Sequence, residues 1–365
     1  AYAMQRGKHV YVQKPMTHNI REARMLTQMA RDKKIVTQMG NQGASNPLLG
    51  MVQKWVDSGA LGRITKVEIW TNRPVWPQGN AMPEPDPSSK PNDLNWDLWL
   101  GPAPMKPYTP NLHPFNWRGW WDYGTGALGD VGCHLIDIPY RTLKLKYPTA
   151  AECSVGTVFS QMWNPDYHPE GCPPSSFITL NYEATDKTGA PLTMTWSDGG
   201  IRPSHPEIIP ADSDIGGPGS QNGVLIHGEH GVISTNINDS SPLTPKLYMS
   251  NGVTEFGPEV EEMPEPEYGH QRKWVDACKA GFGSTEHLDL TSSFDYAGPM
   301  TETVLMGNLA IRSYMLRKEN AEGNMEFYGR KKLLWDGDNM EITNFDDANQ
   351  FVTRTYREGW EMQDV

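Results

Sequence analysis

Asp130 and His134, four residues apart, stand in the chain's densest run of chemistry-bearing side chains, residues 117–137. After Gly124, Gly126 and Gly129 the run reads as a helix spanning 129–143. In a helix, residues i and i+4 share a face, and a carboxylate near the start is favoured by the exposed N–H groups there. Asp130 is then placed to orient or charge-stabilise the imidazole. His134, titrating near neutral pH, is placed to exchange a proton with a substrate hydroxyl. The same two residues also read as a helix-capping carboxylate and a core histidine. Asp137 either orients the ring from the other side or is plain surface charge. Lys14 follows a strand-like run at 9–12 and so lies at the carboxyl end of that strand, the side on which open α/β sheets bind ligands. Its ammonium suits a hydroxyl or a developing alkoxide, although an isolated lysine there also reads as solvated. Pro15 fixes the departing chain and is able to join through a cis bond.

The elements that must hold these groups are legible in outline. The strand at 9–12 leads to a helix capped by Asn19, with Ile20, Ala23, Leu26, Met29 and Ala30 at helical spacing. A second strand is expected at 35–39, then a helix opened by Pro47 and ended by Gly59. Strand–helix–strand–helix is the order of an α/β unit, and two strands make an incomplete one. The chain therefore reads as cut within such a domain. Further strands are expected at 64–70, 152–159, 176–182, 192–196 and 223–233, which together suggest a broad mixed or antiparallel sheet. Helices are expected at 301–316, with Pro299 just before it, and at about 346–360. GTGALG at 124–129 matches G-x-G-x-x-G, but no hydrophobic strand precedes it and no suitable acidic residue follows about 20 positions on. Its glycines read instead as a tight turn allowing close ligand approach.

Composition sets outer bounds. The chain has 365 residues, enough for about two domains, and a net charge of -12, which argues against nucleic acid as a partner. No apolar run of about 18 residues suggests a membrane span. Cys133, Cys153, Cys172 and Cys278 show neither zinc nor disulfide-framework spacing. A Cys153–Cys172 bridge fits only an oxidising compartment; buried or inert thiols are the plainer reading. Five of the 13 tryptophans fall between 96 and 121. Aromatic faces with polar edges suit a polyhydroxyl ligand, and equally staple a loop-rich surface.

GKHVYVQKP at 7–15, MGNQG at 39–43, WDLWLGP at 96–102, GALGDVGCHLID at 126–137 and FDYAGP at 294–299 occur in an order that resembles the Gfo/Idh/MocA oxidoreductase family. The resemblance covers nearly the whole chain. It implies an α/β protein in which a partial Rossmann-like N-terminal unit, 1–62, precedes an α+β domain, 63–365, with a large open mixed or antiparallel sheet and C-terminal helices able to pack back on the first unit. It further implies NAD or NADP, and a secondary hydroxyl of a sugar, cyclitol or glycoside as substrate. The family's catalytic residues fall on Lys14, Asp130 and His134, and cofactor contacts on Gln13, Lys14 and Pro15. Gln13 stands where the family commonly has glutamate, so it keeps hydrogen bonding and loses charge. The family's phosphate-binding glycines would precede Ala1, and no residue here inherits their role. Asn41, Gln42, His113, Asn116, Trp117, Arg118 and Trp120 are the expected substrate contacts. The partners expected are a sugar-like small molecule and either a second copy of the chain or a missing N-terminal fragment, with no nucleic acid and no membrane. Other readings are redox-assisted hydrolysis, elimination or epimerisation, a noncatalytic carbohydrate-binding or oligomerising protein, and a metal-dependent hydrolase on Asp130, His134 and Asp137. Periplasm and cytoplasm both fit.

Overall fold

The computed structural model describes residues 1–236, 245–257 and 269–361. The chain opens with a short helix α1 (Tyr2–Gln5), strand β1 (Val10–Gln13), helix α2 (Ile20–Asp32), strand β2 (Thr37–Gly40) and helix α3 (Leu49–Asp57). β1 and β2 pair in parallel, from Val10 opposite Thr37 to Gln13 opposite Gly40. Asn19 starts α2 through a reciprocal cap. Its side chain accepts from Glu22 N at 3.0 Å, and the Glu22 carboxylate accepts from Asn19 N at 3.3 Å and His18 N at 2.9 Å. That cap fixes where the chain after Lys14 turns into helix.

The second part is built on one ten-stranded sheet. Its strands are β3 (Ile64–Trp70), β4 (Ala150–Val155), β5 (Ser176–Tyr182), β6 (Leu192–Ser197), β7 (Gly223–Gly228), β8 (Gly231–Thr235), β9 (Lys246–Met249), β10 (Thr254–Phe256), β13 (Leu333–Asp336) and β14 (Glu341–Ile342). The spatial order is β10-β9-β8-β7-β3-β6-β5-β4-β13-β14. Only β3 and β6 run parallel, with Lys66 opposite Thr193, so the sheet is mixed. A separate hairpin joins β11 (Arg317–Glu319) to β12 (Met325–Phe327). The remaining helices are α4 (Trp96–Leu100), α5 (Gly126–Leu135), α6 (Asp137–Thr142), α7 (His270–Ala280), α8 (Thr285–Leu288) and α9 (Phe294–Tyr314).

Several boundaries differ from expectation for identifiable reasons. The helix expected at 129–143 begins at Gly126 and breaks at Ile136 into α5 and α6, because Pro139 has no N–H for the carbonyl of Leu135. β4 stops at Val155 rather than 159. The chain opposite its continuation is Pro173-Pro174, which has no N–H groups to extend the ladder. The run 223–233 folds back at Glu229-His230 into β7 and β8. α9 starts at Phe294 and takes Pro299 inside it. Thr37 Oγ1 holds Phe294 N at 2.9 Å, and α9 is buried along most of its length, so packing outweighs one lost hydrogen bond. The helix expected at 346–360 is only a 3₁₀ turn, Asp346–Phe351. Beyond it, Arg354 bonds Asp122 O and Arg357 bonds Gly101 O, which spreads the chain over the loops. All four cysteines are free thiols.

One hydrophobic core runs from Met4 to Val352 and spans both parts. α9 lies between α2 and the sheet. Its Gly307 is so close to α5 and β5 that a Cβ there would stand 2.5 Å from Leu128 and 3.2 Å from Ile178. Through these contacts α9 sets the distance between β1 and α5, the elements that carry Lys14 and Asp130.

Candidate active site

Lys14 leaves the end of β1 and meets α5 across 116 residues of sequence. Its Nζ donates to Asp130 Oδ1 at 3.0 Å and to the Asp130 carbonyl at 2.5 Å. Arg118 Nε donates to the same Oδ1 at 2.9 Å. The three side chains are 18%, 20% and 23% exposed for Lys14, Asp130 and Arg118. Burial alone would raise the Asp130 pKa; the Lys14 ammonium and the Arg118 guanidinium outweigh it and hold the carboxyl below its ordinary value. The result is one ionised carboxylate gripping two cations. The Lys14–Pro15 bond is cis.

Glycine makes the Arg118 arm possible. The chain from 118 to 124 doubles back so tightly that a Cβ on Gly124 would lie 2.5 Å from Arg118 Cα. Gly126 then enters α5 at φ +63°. The G-x-G-x-x-G string is thus a turn into a helix, as its neighbours suggested. Arg118 is further fixed by its donation to Phe115 O at 3.0 Å and by stacking on Trp117 at 4.5 Å.

These groups border a cleft of about 490 Å³ lined by Gln13, Lys14, Pro15, Thr17, His18, Trp117, Arg118, Tyr123, Gly124, Thr125, Gly126 and Asp130. Four of these residues, Thr17, His18, Tyr123 and Thr125, were missed by sequence reasoning, and His18 and Tyr123 carry polar atoms unpartnered among the described residues. His18 Nε2 lies 2.7 Å from the Trp121 carbonyl. A carbonyl only accepts, so Nε2 carries the proton and Nδ1 is a pure acceptor; Nδ1 is buried with no hydrogen-bond partner among the described residues. Burial first, then Arg354 and Arg312, push the His18 pKa down to about 4 against the pull of Glu22, so the ring is neutral at ordinary pH. The Tyr123 hydroxyl is likewise buried without a partner, and burial followed by Asp122 pushes it up to about 12. A signal existed for His18, which sits four residues after Lys14 at the same strand end. Tyr123 had only its place beside the glycines.

Of the sequence-expected residues, the structure brings Gln13, Lys14, Pro15, Trp117, Arg118 and Asp130 to one cleft. It does not bring the others there. His134 is half-buried one turn beyond Asp130 on α5, outside the residues that line the cleft. Asp130 serves as counter-ion to Lys14 and Arg118. Asp137 is buried and accepts from Arg141 at 2.9 Å and from the Tyr296 hydroxyl at 2.5 Å, so it is neither surface charge nor reserved for the imidazole. Asn41 is buried after β2 and Gln42 starts a 3₁₀ turn. His113 packs edge-on against Trp99, Asn116 opens another 3₁₀ turn, and Trp120 is 2% exposed in a cluster with Trp96, Leu100 and Leu112. Trp96 and Trp99 stack at 4.6 Å in the same cluster. Most of these rings staple the long loop, and Trp117 alone of the five tryptophans faces the cleft. Among the described residues no three His, Cys, Asp or Glu side chains gather closely enough to hold a metal ion, and no helix is long and apolar enough to cross a membrane.

Residues 46–155 match the family model described as the oxidoreductase family, C-terminal alpha/beta domain. A levoglucosan dehydrogenase from Pseudarthrobacter phenanthrenivorans is 26% identical over 141 residues, a stretch covering 37% of this chain and 27% of that enzyme. The fold is similar to an inositol dehydrogenase homolog complexed with NAD+ from Azotobacter vinelandii, with TM-score 0.53 and 16% identity over 89% of this chain and 74% of that one. It is also similar to an aldose-aldose oxidoreductase from Caulobacter crescentus complexed with glycerol, with TM-score 0.51 and 14% identity over 89% and 74%.

Proposed function

We infer from the match of residues 46–155 to the C-terminal alpha/beta domain of the oxidoreductase family that the chain is a Gfo/Idh/MocA-type oxidoreductase, and we propose that it takes part in NAD(P)-dependent oxidation of a secondary hydroxyl on a sugar, cyclitol or glycoside. The observation that carries the reading is the convergence of Lys14 and Arg118 on Asp130 at the mouth of one cleft. A paired, half-buried ammonium at the mouth of a cleft is what an alcohol needs as it loses its proton.

Lys14 donates to the substrate hydroxyl oxygen and stabilises the alkoxide as it forms. Asp130 keeps the ammonium charged and aimed, and Arg118 keeps that carboxylate ionised when substrate excludes water. The proton passes to water, since His134, the acceptor expected from the sequence, stands one turn along α5 outside the residues that line the cleft. Trp117 offers an apolar face to the sugar ring. The residues present also fit the reactive end of the dinucleotide: the cleft opens at the carboxyl end of β1, and the unpartnered His18 Nδ1 and Tyr123 hydroxyl are suited to N–H and O–H groups of a bound ligand. Gln13, Lys14 and Pro15 would hold a nicotinamide there, which when bound supplies a hydride acceptor for the hydroxyl-bearing carbon. The relatives' named substrates, levoglucosan, inositol and aldoses, support a polyhydroxyl ligand.

The test is a panel of cyclitols, anhydrosugars and glycosides incubated with NAD+ or NADP+, followed by nicotinamide absorbance. Turnover is expected with at least one member. Lys14→Met should lower kcat by about 10²- to 10³-fold while circular dichroism stays unchanged. Sugar binding without nicotinamide binding or turnover would instead make the chain a noncatalytic carbohydrate-binding protein.

A further inference from the structure

A second cleft, of about 240 Å³, shares no lining residue with the first. Its walls are mainly apolar: Val155, Val158 and Phe159 beyond the end of β4, Pro173 before β5, Met315 after α9, and Phe327 on β12. Two arginines border it. Arg317 stacks on Phe327 at 4.1 Å and on Tyr167 at 3.9 Å, and Arg330 stacks on Phe327 at 3.7 Å. Two cations therefore share one aromatic ring. Neither is ion-paired to a carboxylate among the described residues, and Arg317 Nε is buried with no acceptor. The nearby acids are engaged elsewhere. Asp166, also in the lining, accepts from Ser160 N at 3.1 Å and Ser160 Oγ at 2.6 Å, and Glu170 faces His168 at 3.9 Å.

Like charges held together without a counter-ion repel each other, and a buried guanidinium N–H without an acceptor loses its hydration with nothing in return. An oxyanion corrects both faults, since the planar guanidinium matches carboxylate and phosphate oxygens. The apolar walls would bury whatever carries that oxyanion. We propose that this cleft is a second binding site, for a small oxyanion carried on an apolar or aromatic body, separate from the Lys14 cleft. The two linings are joined through backbone hydrogen bonds. Gly171, Cys172 and Pro173 line the second, while Cys172 N donates to Gly119 O at 2.8 Å and Trp121 N to Glu170 O at 3.0 Å, both just after Arg118.

The site is tested by titration calorimetry on the whole chain with benzoate, phenyl phosphate, inorganic phosphate and the neutral benzyl alcohol. Saturable binding of benzoate or phenyl phosphate is expected, with inorganic phosphate weaker and benzyl alcohol weaker still; whichever aryl anion binds tighter names the oxyanion. Arg317→Gln and Arg330→Gln should each weaken it about tenfold or more, whereas Lys14→Met should leave it unchanged. The proposal fails if benzyl alcohol binds as well as benzoate, if neither aryl anion saturates, or if both arginine variants bind as the parent does. The comparison of anion with neutral isostere needs no variant, so a misfolded variant cannot shelter the idea.

Discussion

At the scale of single residues, the candidate site is a set of charge states imposed by close neighbours. His18 is held neutral, and this has a defined consequence for stability. Its folded pKa of about 4 lies below the ordinary 6.5, so the unfolded chain binds the proton more readily. The stability that depends on neutral His18 is complete above about pH 6.5 and is lost as pH falls towards 4. The shift corresponds to roughly 3 kcal/mol at most. Asp198 opposes it: buried, and pushed up to about 6, it contributes stability that is present at low pH and lost as pH rises towards 6. The two are separable by mutation. In urea unfolding at pH 7 and pH 4.5, the parent should lose about 2 kcal/mol more than His18→Asn; parallel curves would mean that His18 is not held neutral. Asp130 has the opposite sign to Asp198. Its lowered pKa makes the pair with Lys14 stabilising above the ordinary carboxylate range and lost as pH falls through the lowered value. Asp130→Asn should therefore impair turnover more at neutral pH than it changes fold, since it leaves Lys14 without its charge partner.

At the scale of elements, the placement of Lys14 depends on how closely α9 approaches α2. A Cβ on Gly298 would stand 1.9 Å from Thr27 Oγ1, and that hydroxyl is already fixed by Ala23 O at 2.8 Å and Phe294 O at 3.1 Å. Gly298→Ala should destabilise by about 1–3 kcal/mol through overpacking. Thr27→Ala in the same chain opens the space, so the double variant should recover about 1 kcal/mol relative to additivity in a double-mutant cycle. Strict additivity would show that the helices simply move apart. Further along the same crossing, Arg24 donates to the 2%-exposed Glu302 at 2.8 and 2.9 Å. Arg24→Met should cost about 3–5 kcal/mol by leaving a buried carboxylate alone, and Arg24→Met/Glu302→Met should restore most of it.

At the scale of the whole molecule, the first two strands are not an independent body. Their core is continuous with that of the ten-stranded sheet, from Met4 through α9 to Val352. Met39 N also bonds Ser292 O, just ahead of α9. Unfolding in denaturant should accordingly be one cooperative transition, with tryptophan fluorescence and far-ultraviolet circular dichroism coinciding. An early phase confined to helix signal would show residues 1–62 separating from the rest.

How much of this was legible in the chain follows the range of the forces involved. Local chemistry determined the Asn19 cap, the exact spans of β3 and β5, the turn-forming glycines at 124–129 and the position of Lys14 at a strand end, because each depends on neighbours within a few residues. The break at Pro139 is likewise local, whereas the end of β4 at Val155 depends on Pro173-Pro174 in the opposing chain. Only the tertiary structure decided which partner each ionisable group would take. Asp130 turned to Lys14 and Arg118, Asp137 to Arg141 and Tyr296, and His18 to Trp121 O. Several of these contacts join groups more than 100 residues apart. Hydrogen bonds and ion pairs act over a few ångströms, and sequence spacing carries no information about which distant atoms the packing of α9 will bring within that reach.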